Sequence, residues 1–175
     1  MTMILKPQDV LVMLKLLAMG RKPWSYAGLA VQLGMSPSQL HSAIKRALKA
    51  QLAVRDKDDI VPNLRNLEEF LVYGVKYVFV PEQGELTRGM PTAYAAPPMN
   101  KRIVSSAEPP PVWPDAKGGT RGIAFSPLYN LAPNAAQADA KLYELLVLVD
   151  AIRGGRARER DMAIKELKTR MARYE

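Results

Sequence analysis

The sequence predicts a mainly α-helical protein with small β-hairpins. Apolar residues recur at helical spacing in residues 7–50 and 137–171, and two short apolar runs flank a polar turn at residues 56–59. Ten of the fourteen prolines lie between Pro81 and Pro133, which excludes helix from most of that stretch. We therefore expect three parts: an N-terminal domain at residues 1–62, a short helix, a strand and a proline-rich extended segment at residues 63–136, and a C-terminal helical region at residues 137–175.

The first helix is predicted from an almost continuous apolar run at residues 10–19. Pro7 fits the first turn of a helix, where its missing N–H has no intrahelical partner, and Gly20 marks the end. Because the run is apolar nearly all round, we expect this helix to be buried at the centre of the fold.

Two further helices follow, each with signals at its ends. Ser25 is placed as an N-cap, and Gly34 ends the second helix. Ser36 and Gln39 form a capping box for a third helix at residues 37–50. Its interior face repeats at helical spacing and consists of Leu40, Ile44, Ala47 and Leu48.

The opposite face of this third helix is the candidate functional site. It is short and polar near the start of the helix and cationic towards the end. Its members are Ser38, Ser42, Lys45, Arg46 and Lys49, with Gln39 and His41 on its flanks, and Gln39 is counted with these five as a candidate DNA contact. A helix that enters the major groove of DNA needs such a face, because small donors and acceptors contact base edges and long cations reach phosphates. The alternative is an ordinary solvated helix face.

The turn between the second and third helices carries a motif. Residues 29–36, followed by Leu40, resemble the helix-turn-helix of bacterial regulators. In that motif a small residue lies four positions before the turn glycine and an aliphatic residue lies six after it. Ala30, Gly34 and Leu40 occupy these places.

Residues 52–62 predict a hairpin, with apolar runs on either side of a polar turn. With this hairpin as its wing, the chain resembles bacterial winged helix-turn-helix transcriptional regulators over residues 8–62. The resemblance implies that the wing contacts DNA, and Arg55 is the best candidate there because the turn itself is rich in aspartate. Winged helices also serve as protein-binding modules, so the resemblance indicates a fold more specifically than a ligand.

The middle of the chain is predicted as a short helix at residues 66–73, ended by Gly74, and a strand at residues 75–80 that is rich in β-branched and aromatic residues. The stretch that follows carries too many large apolar groups for a solvated tether, so we expect an ordered segment wrapped over a core or a partner. Within it, residues 111–113 and 121–125 predict a hairpin.

The C-terminal region is predicted as a strong helix at residues 137–153, a break at Gly154 and Gly155, and a final helix. A group of cations surrounds the break: Arg153, Arg156, Arg158 and Arg160. These arginines can neutralise phosphates or accept an acidic partner, but interspersed acidic residues make pairing within the helix an equal alternative.

Composition narrows the function classes. The net charge is +8, and +5 of it lies in residues 1–60, with nine Lys or Arg against four Asp or Glu. The absence of cysteine excludes thiolate chemistry, and a single histidine, His41, excludes a zinc cluster or a pair of catalytic histidines. We expect no metal, no cofactor and no catalytic activity. No stretch is apolar enough to span a membrane, and the first residues lack a secretory signal, so a cytoplasmic location is expected.

The leading hypothesis is a sequence-specific regulator that binds double-stranded DNA. The third helix reads the major groove, Arg55 holds a phosphate, and the C-terminal region mediates homodimerisation or effector binding. The alternative is an antitoxin or defence-system adaptor that binds a partner protein through residues 81–175. The two can coexist in one autorepressing antitoxin.

Overall fold

A computed structural model of the protein describes residues 3–104 and 107–175. It is a mixed helical and stranded fold with small sheets. Three helices open the chain, and their ends agree with the capping signals of the sequence: α1 (Pro7–Met19), α2 (Tyr26–Leu33) and α3 (Pro37–Lys49). Ser25 Oγ accepts a hydrogen bond from the N–H of Gly28, and Gly34 ends α2 in the left-handed conformation that glycine adopts without strain.

Helix α1 is the central element, as its apolar run predicts. Eight consecutive residues of α1, from Asp9 to Leu16, are buried. Two of them are charged, and each has a partner outside the helix. Lys15 Nζ donates to Asp139 at 2.8 Å, and Asp9 accepts hydrogen bonds from Arg46. Burying a charge is costly unless it is paired, so these contacts fix α1 against its neighbours.

The predicted hairpin follows α3. Strands β1 (Ala53–Asp56) and β2 (Asp59–Pro62) pair antiparallel, with Arg55 opposite Ile60. The two-residue turn places Lys57 in a left-handed conformation, with φ 58°. Ile60 is buried on the core side, which ties the hairpin to the helices.

The strand predicted at residues 75–80 is wrong, and so is the predicted helix end at Gly74. The chain instead stays helical through α4 (Leu64–Glu69), a π-helical turn (Phe70–Gly74) and α5 (Val75–Val78). The Phe70 ring packs against Gly74, where a Cβ would lie 2.9 Å from Phe70 Cδ2. The glycine therefore makes room for a ring within the wider turn and does not end the helix. Burial of Leu71 and Val75 overrides the strand propensity of the β-branched residues.

The proline-rich stretch is ordered, as expected, but its strands pair differently from the prediction. Strand β3 (Gln83–Pro91) is antiparallel to β4 (Pro111–Pro114) and to β5 (Thr120–Phe125), and β4 and β5 pair parallel to close a three-stranded barrel. The predicted hairpin of residues 111–113 with 121–125 is therefore wrong. The intervening turn binds β3 through a 3.0 Å hydrogen bond from Asp115 N to Arg88 O, and so delivers β5 to the other edge of β3.

The C-terminal helices are α6 (Ala132–Gln137), α7 (Ala140–Gly154) and α8 (Ala157–Ala172). The helix is interrupted between α7 and α8 at the predicted pair of glycines, because α7 ends at Gly154 and Gly155 caps it. Helix α7 packs on α1, α5, α6 and α8, and one apolar core joins the N-terminal helices, the barrel and the C-terminal helices. In the part of the chain that the structure describes, no helix has both the length and the apolar character needed to cross a membrane.

Candidate nucleic-acid interface

Helix α3 divides into the two faces that the sequence indicates. Leu40, Ala43, Ile44 and Ala47 are buried, while Leu48 is only partly buried. Most of the predicted contact residues lie on the exposed side: Ser38, Gln39, Ser42, Lys45 and Lys49. No described segment of the chain covers this face.

The start of α3 is held by a reciprocal capping box. Ser36 Oγ accepts from the N–H of Gln39 at 3.1 Å, and Gln39 Oε1 accepts from the N–H of Ser36 at 2.9 Å. The side-chain oxygen of Gln39 is therefore engaged in the cap, which leaves its side-chain NH2 group as the donor for a further contact. Ser38 and Ser42 lie one helical turn apart on the same exposed face.

Arg46 does not belong to the exposed group. Its Nε and Nη2 atoms each donate to a carboxylate oxygen of Asp9 at 2.8 Å, and its side chain is only 14% exposed. Asp9 also accepts from the N–H of Lys6 and so closes the start of α1. The predicted DNA contact at Arg46 is therefore replaced by a bidentate ion pair that fixes α3 on α1. The sequence does carry a signal for it, because a lone carboxylate in a buried helix needs a cation from elsewhere.

Arg55 lies exposed on β1, beside the hairpin turn. The turn and the two strand residues that flank it carry three aspartates, Asp56, Asp58 and Asp59, which would repel a phosphate backbone. One of them, Asp56, accepts from Arg21 Nη1 at 3.3 Å, a contact between the α1–α2 loop and the hairpin. Arg21 thus offsets part of the negative charge next to Arg55, although both members of this ion pair are more than half exposed.

An aromatic ladder borders the exposed face of α3. The imidazole of His41 stacks on the Tyr26 ring at 3.8 Å with an interplanar angle of 5°, and Trp24 meets Tyr26 edge-on at 5.2 Å. The sequence places His41 beside the candidate face but does not predict this stack, because Tyr26 belongs to another helix. The stack links α2 to α3 and holds the imidazole in place.

The charges of the N-terminal region therefore fall into two groups. Lys15, Arg21 and Arg46 pair with aspartates. The other group makes no ion pair with any described residue, and it comprises Lys6, Lys22, Lys45, Lys49, Arg55 and Lys57. The positive excess that the sequence assigns to residues 1–60 consequently lies at the surface, and two of its members lie on α3.

The arginines near the α7–α8 break do not form one patch. Arg153 is buried, where it donates to Asp150 at 2.7 Å and to the carbonyl of Phe79 at 2.8 Å. Arg160 donates to backbone carbonyls of α7 and the break, and Arg156 contacts Glu108 at 3.4 Å. Arg158 is exposed. The predicted pairing within a helix holds for Arg153, which pairs with Asp150 of α7, whereas Arg156 pairs with a residue of another segment and Arg160 donates to backbone carbonyls.

The most buried carboxylate of the C-terminal half, Asp150, serves the fold. It accepts from Thr92 Oγ1 at 2.6 Å and from Trp113 Nε1 at 2.7 Å, in addition to Arg153. Burial raises the pKa of Asp150, and the arginine charge and these hydrogen bonds act in the opposite direction. With its oxygens engaged inside the protein, this carboxylate joins the barrel to α7.

Comparisons of the chain with protein families, curated proteins and solved structures found no match. The exposed face of α3 and the hairpin beside it are therefore the features of this chain that bear on its function.

Proposed function

We propose that the protein is a transcriptional regulator that binds double-stranded DNA through a winged helix-turn-helix at residues 1–62. One observation carries the proposal: the described chain leaves one face of α3 uncovered, with hydroxyl and amide groups in its first half and two unpaired lysines in its second half. Ser38, Gln39 and Ser42 would face base edges in the major groove, and Lys45 and Lys49 would contact phosphates.

The surroundings of α3 support this role. The capping box and the Asp9–Arg46 ion pair fix both ends of the helix, so little conformational entropy is lost on binding. The hairpin offers Arg55 as a further phosphate contact. The protein would act by binding, without a cofactor or catalysis, in the cytoplasm and as a homodimer.

The proposal is tested with a labelled duplex of random sequence and fluorescence anisotropy at several salt concentrations. The Lys45→Ala/Lys49→Ala variant should bind every sequence more weakly, and the slope of log K against log salt should fall in magnitude by about 2. The matched control is Lys165→Ala/Lys168→Ala, which removes the same charge from the exposed side of α8. If both double variants leave affinity and slope at the wild-type values, α3 is not the interface.

Recognition of the DNA base sequence by α3 is tested separately, by selecting preferred sites from a random duplex library. Ser42→Ala should change which bases are preferred and leave the salt slope unaltered, because a hydroxyl at a base edge carries sequence information and no charge. An unchanged preference would remove Ser42 from the readout.

A second candidate function is binding of a partner protein, as in an antitoxin or a defence-system adaptor. It is favoured by large apolar side chains that are exposed around α5 and the start of β3, namely Tyr73, Tyr77, Val78, Val80 and Leu86. Co-purification of an untagged protein encoded beside this one, in stoichiometric amount and without duplex binding, would favour this candidate.

A further inference from the structure

A cleft of about 630 Å³ lies where the last turn of α1 meets the first turn of α7 and the last turn of α8. Its volume falls within the range of small-molecule sites. The walls include the partly buried apolar side chains of Leu17 and Met19 and the buried Leu145 and Met171. The interior of the cleft is thus suited to an apolar body.

The rim of this cleft is cationic. Five basic side chains border it against two glutamates, Glu144 and Glu175. Arg170 is already held by Glu144 at 3.0 Å and by Glu166 at 2.6 Å. The remaining basic residues are Arg21, Lys22, Lys141 and Arg173. Apart from Arg21, they make no ion pair with the described chain, so the rim has an unbalanced positive charge.

Arg21 connects the cleft to the hairpin. Its backbone N–H donates to the carbonyl of Glu175 at 2.5 Å, and its guanidinium lies 5.7 Å from the ring centroid of Tyr174. The same guanidinium pairs with Asp56 at the end of β1. A smaller cleft of about 150 Å³, also lined by Arg21 and Tyr174, continues from this point to Ile60 on the hairpin.

We propose that the larger cleft binds a small organic anion with an apolar body, and that Arg21 exchanges Asp56 for the anionic group of this ligand. The apolar walls would bury the body of the ligand, and Arg21 and Lys141 would face its charge. Because the Arg21–Asp56 pair is exposed, it is weak and can be displaced.

One consequence rests on the proposed DNA binding. Displacement leaves Asp56 without its partner beside Arg55, and an uncompensated carboxylate at that place repels phosphates. Ligand binding is therefore expected to lower duplex affinity about two- to fivefold, the range that an exposed ion pair can supply.

The test uses two fluorescent probes that differ in one group. 1-Anilinonaphthalene-8-sulfonate carries the ring system and a sulfonate, and N-phenyl-1-naphthylamine carries the rings alone. We expect Arg21→Gln/Lys141→Gln to weaken the sulfonated probe about tenfold and to leave the neutral probe unchanged. Lys165→Gln/Lys168→Gln is the charge-matched control and should leave both affinities unchanged. Ala18→Trp, which fills the cleft, should weaken both probes.

Displacement of Arg21 from Asp56 is followed by the amide resonances of Asp56 and Lys57. These resonances should shift when the sulfonated probe binds wild-type protein and should not shift when it binds the Arg21→Gln variant. The proposal is overturned if the Arg21/Lys141 variant binds the sulfonated probe like wild type, or if the hairpin resonances stay fixed. These measurements use no DNA. Wild-type protein that binds the duplex but not the sulfonated probe contradicts this inference alone, and wild-type protein that binds the probe but not the duplex contradicts the proposed function alone. Equal duplex affinity with and without the probe removes the regulatory consequence.

Discussion

Buried charged residues fix α3, the helix that carries the candidate interface, against α1. Asp9 is fully buried and accepts from Arg46 and from the backbone of Lys6, so one carboxylate joins the start of α1 to α3. The carboxylate of Asp9 in a buried helix indicates that a cation must pair with it, but the sequence does not say which one, because Arg46 is 37 positions away and the helical wheel places it near an exposed face. The contact exists only after α1 and α3 have packed, so the sequence pattern alone predicts Arg46 as a DNA contact.

Removing one partner of this pair should be costly. We expect Asp9→Asn to lower the free energy of unfolding by about 3 kcal/mol, because it leaves the Arg46 guanidinium without its partner in a largely buried place. Urea denaturation provides the measurement. Asp9→Asn/Arg46→Met should recover part of the loss, since no unpaired charge remains. A loss below about 1 kcal/mol for Asp9→Asn would contradict the structural role.

Asp139 makes the stability of the folded protein depend on pH. Burial raises the pKa of Asp139, but the hydrogen bond and charge of Lys15, with the N–H groups of Leu142 and Lys141, together outweigh burial and hold the pKa below its ordinary value of 3.8. A carboxylate with a lowered pKa stabilises the folded state above its unfolded-state pKa. That stabilisation is lost as the pH falls through the folded-state pKa.

We therefore expect the stability difference between wild type and Asp139→Asn to be full at pH 6 and to shrink as the pH falls below about 4. Thermal unfolding followed by circular dichroism between pH 3 and pH 7 measures this difference. A difference that stays constant over the whole range would show that the charge of Asp139 does not contribute.

At the scale of elements, a helix, turn or hairpin could be predicted from the sequence where the contacts that fix it join residues close together in the chain. The capping box of α3, the left-handed Gly34 and the β1–β2 hairpin each depend on residues a few positions apart, and all three appear where the sequence places them. The candidate α3 face was predictable for the same reason, except at Arg46. The helical path of residues 64–78 depends on contacts with α7, and the parallel pairing of β4 with β5 depends on contacts with β3. Both are distant contacts, so the predictions made from local patterns were wrong at these two places.

A substitution at Gly74 tests whether the Phe70 ring packs against this residue in the π-helical turn. In an ordinary exposed helix, replacing glycine by alanine stabilises by about 1 kcal/mol. Here Gly74→Ala should destabilise by about 1–2 kcal/mol, because the new methyl group meets the Phe70 ring. Gly119→Ala is the matched control, since a Cβ there has no neighbour within 4 Å and should change stability little. Stabilisation by Gly74→Ala, measured in urea, would contradict the described packing.

At the scale of the whole molecule, α1 and α7 join the N-terminal helices to the barrel and the C-terminal helices in one core. The buried Trp113 lies on the barrel side of this core, and Trp24 lies beside α2. Because Lys15 of α1 pairs with Asp139 at the start of α7, the two sides should lose their structure together.

We expect a single unfolding transition. In a Trp24→Phe variant, where fluorescence reports on Trp113 alone, the urea midpoint from fluorescence should coincide with the midpoint from helical circular dichroism. Two separated midpoints would show that the N-terminal helices and the barrel unfold independently.

The central claim is that the exposed face of α3 and the adjacent hairpin contact duplex DNA. Its most direct measurement is a titration of isotope-labelled protein with a short duplex, followed by the amide resonances of the whole chain. The account predicts that the largest shifts fall at Ser38, Ser42, Lys45, Lys49 and Arg55. Shifts confined to residues 73–86 or to α8, or no shifts at all at duplex concentrations that saturate a basic protein, would contradict it.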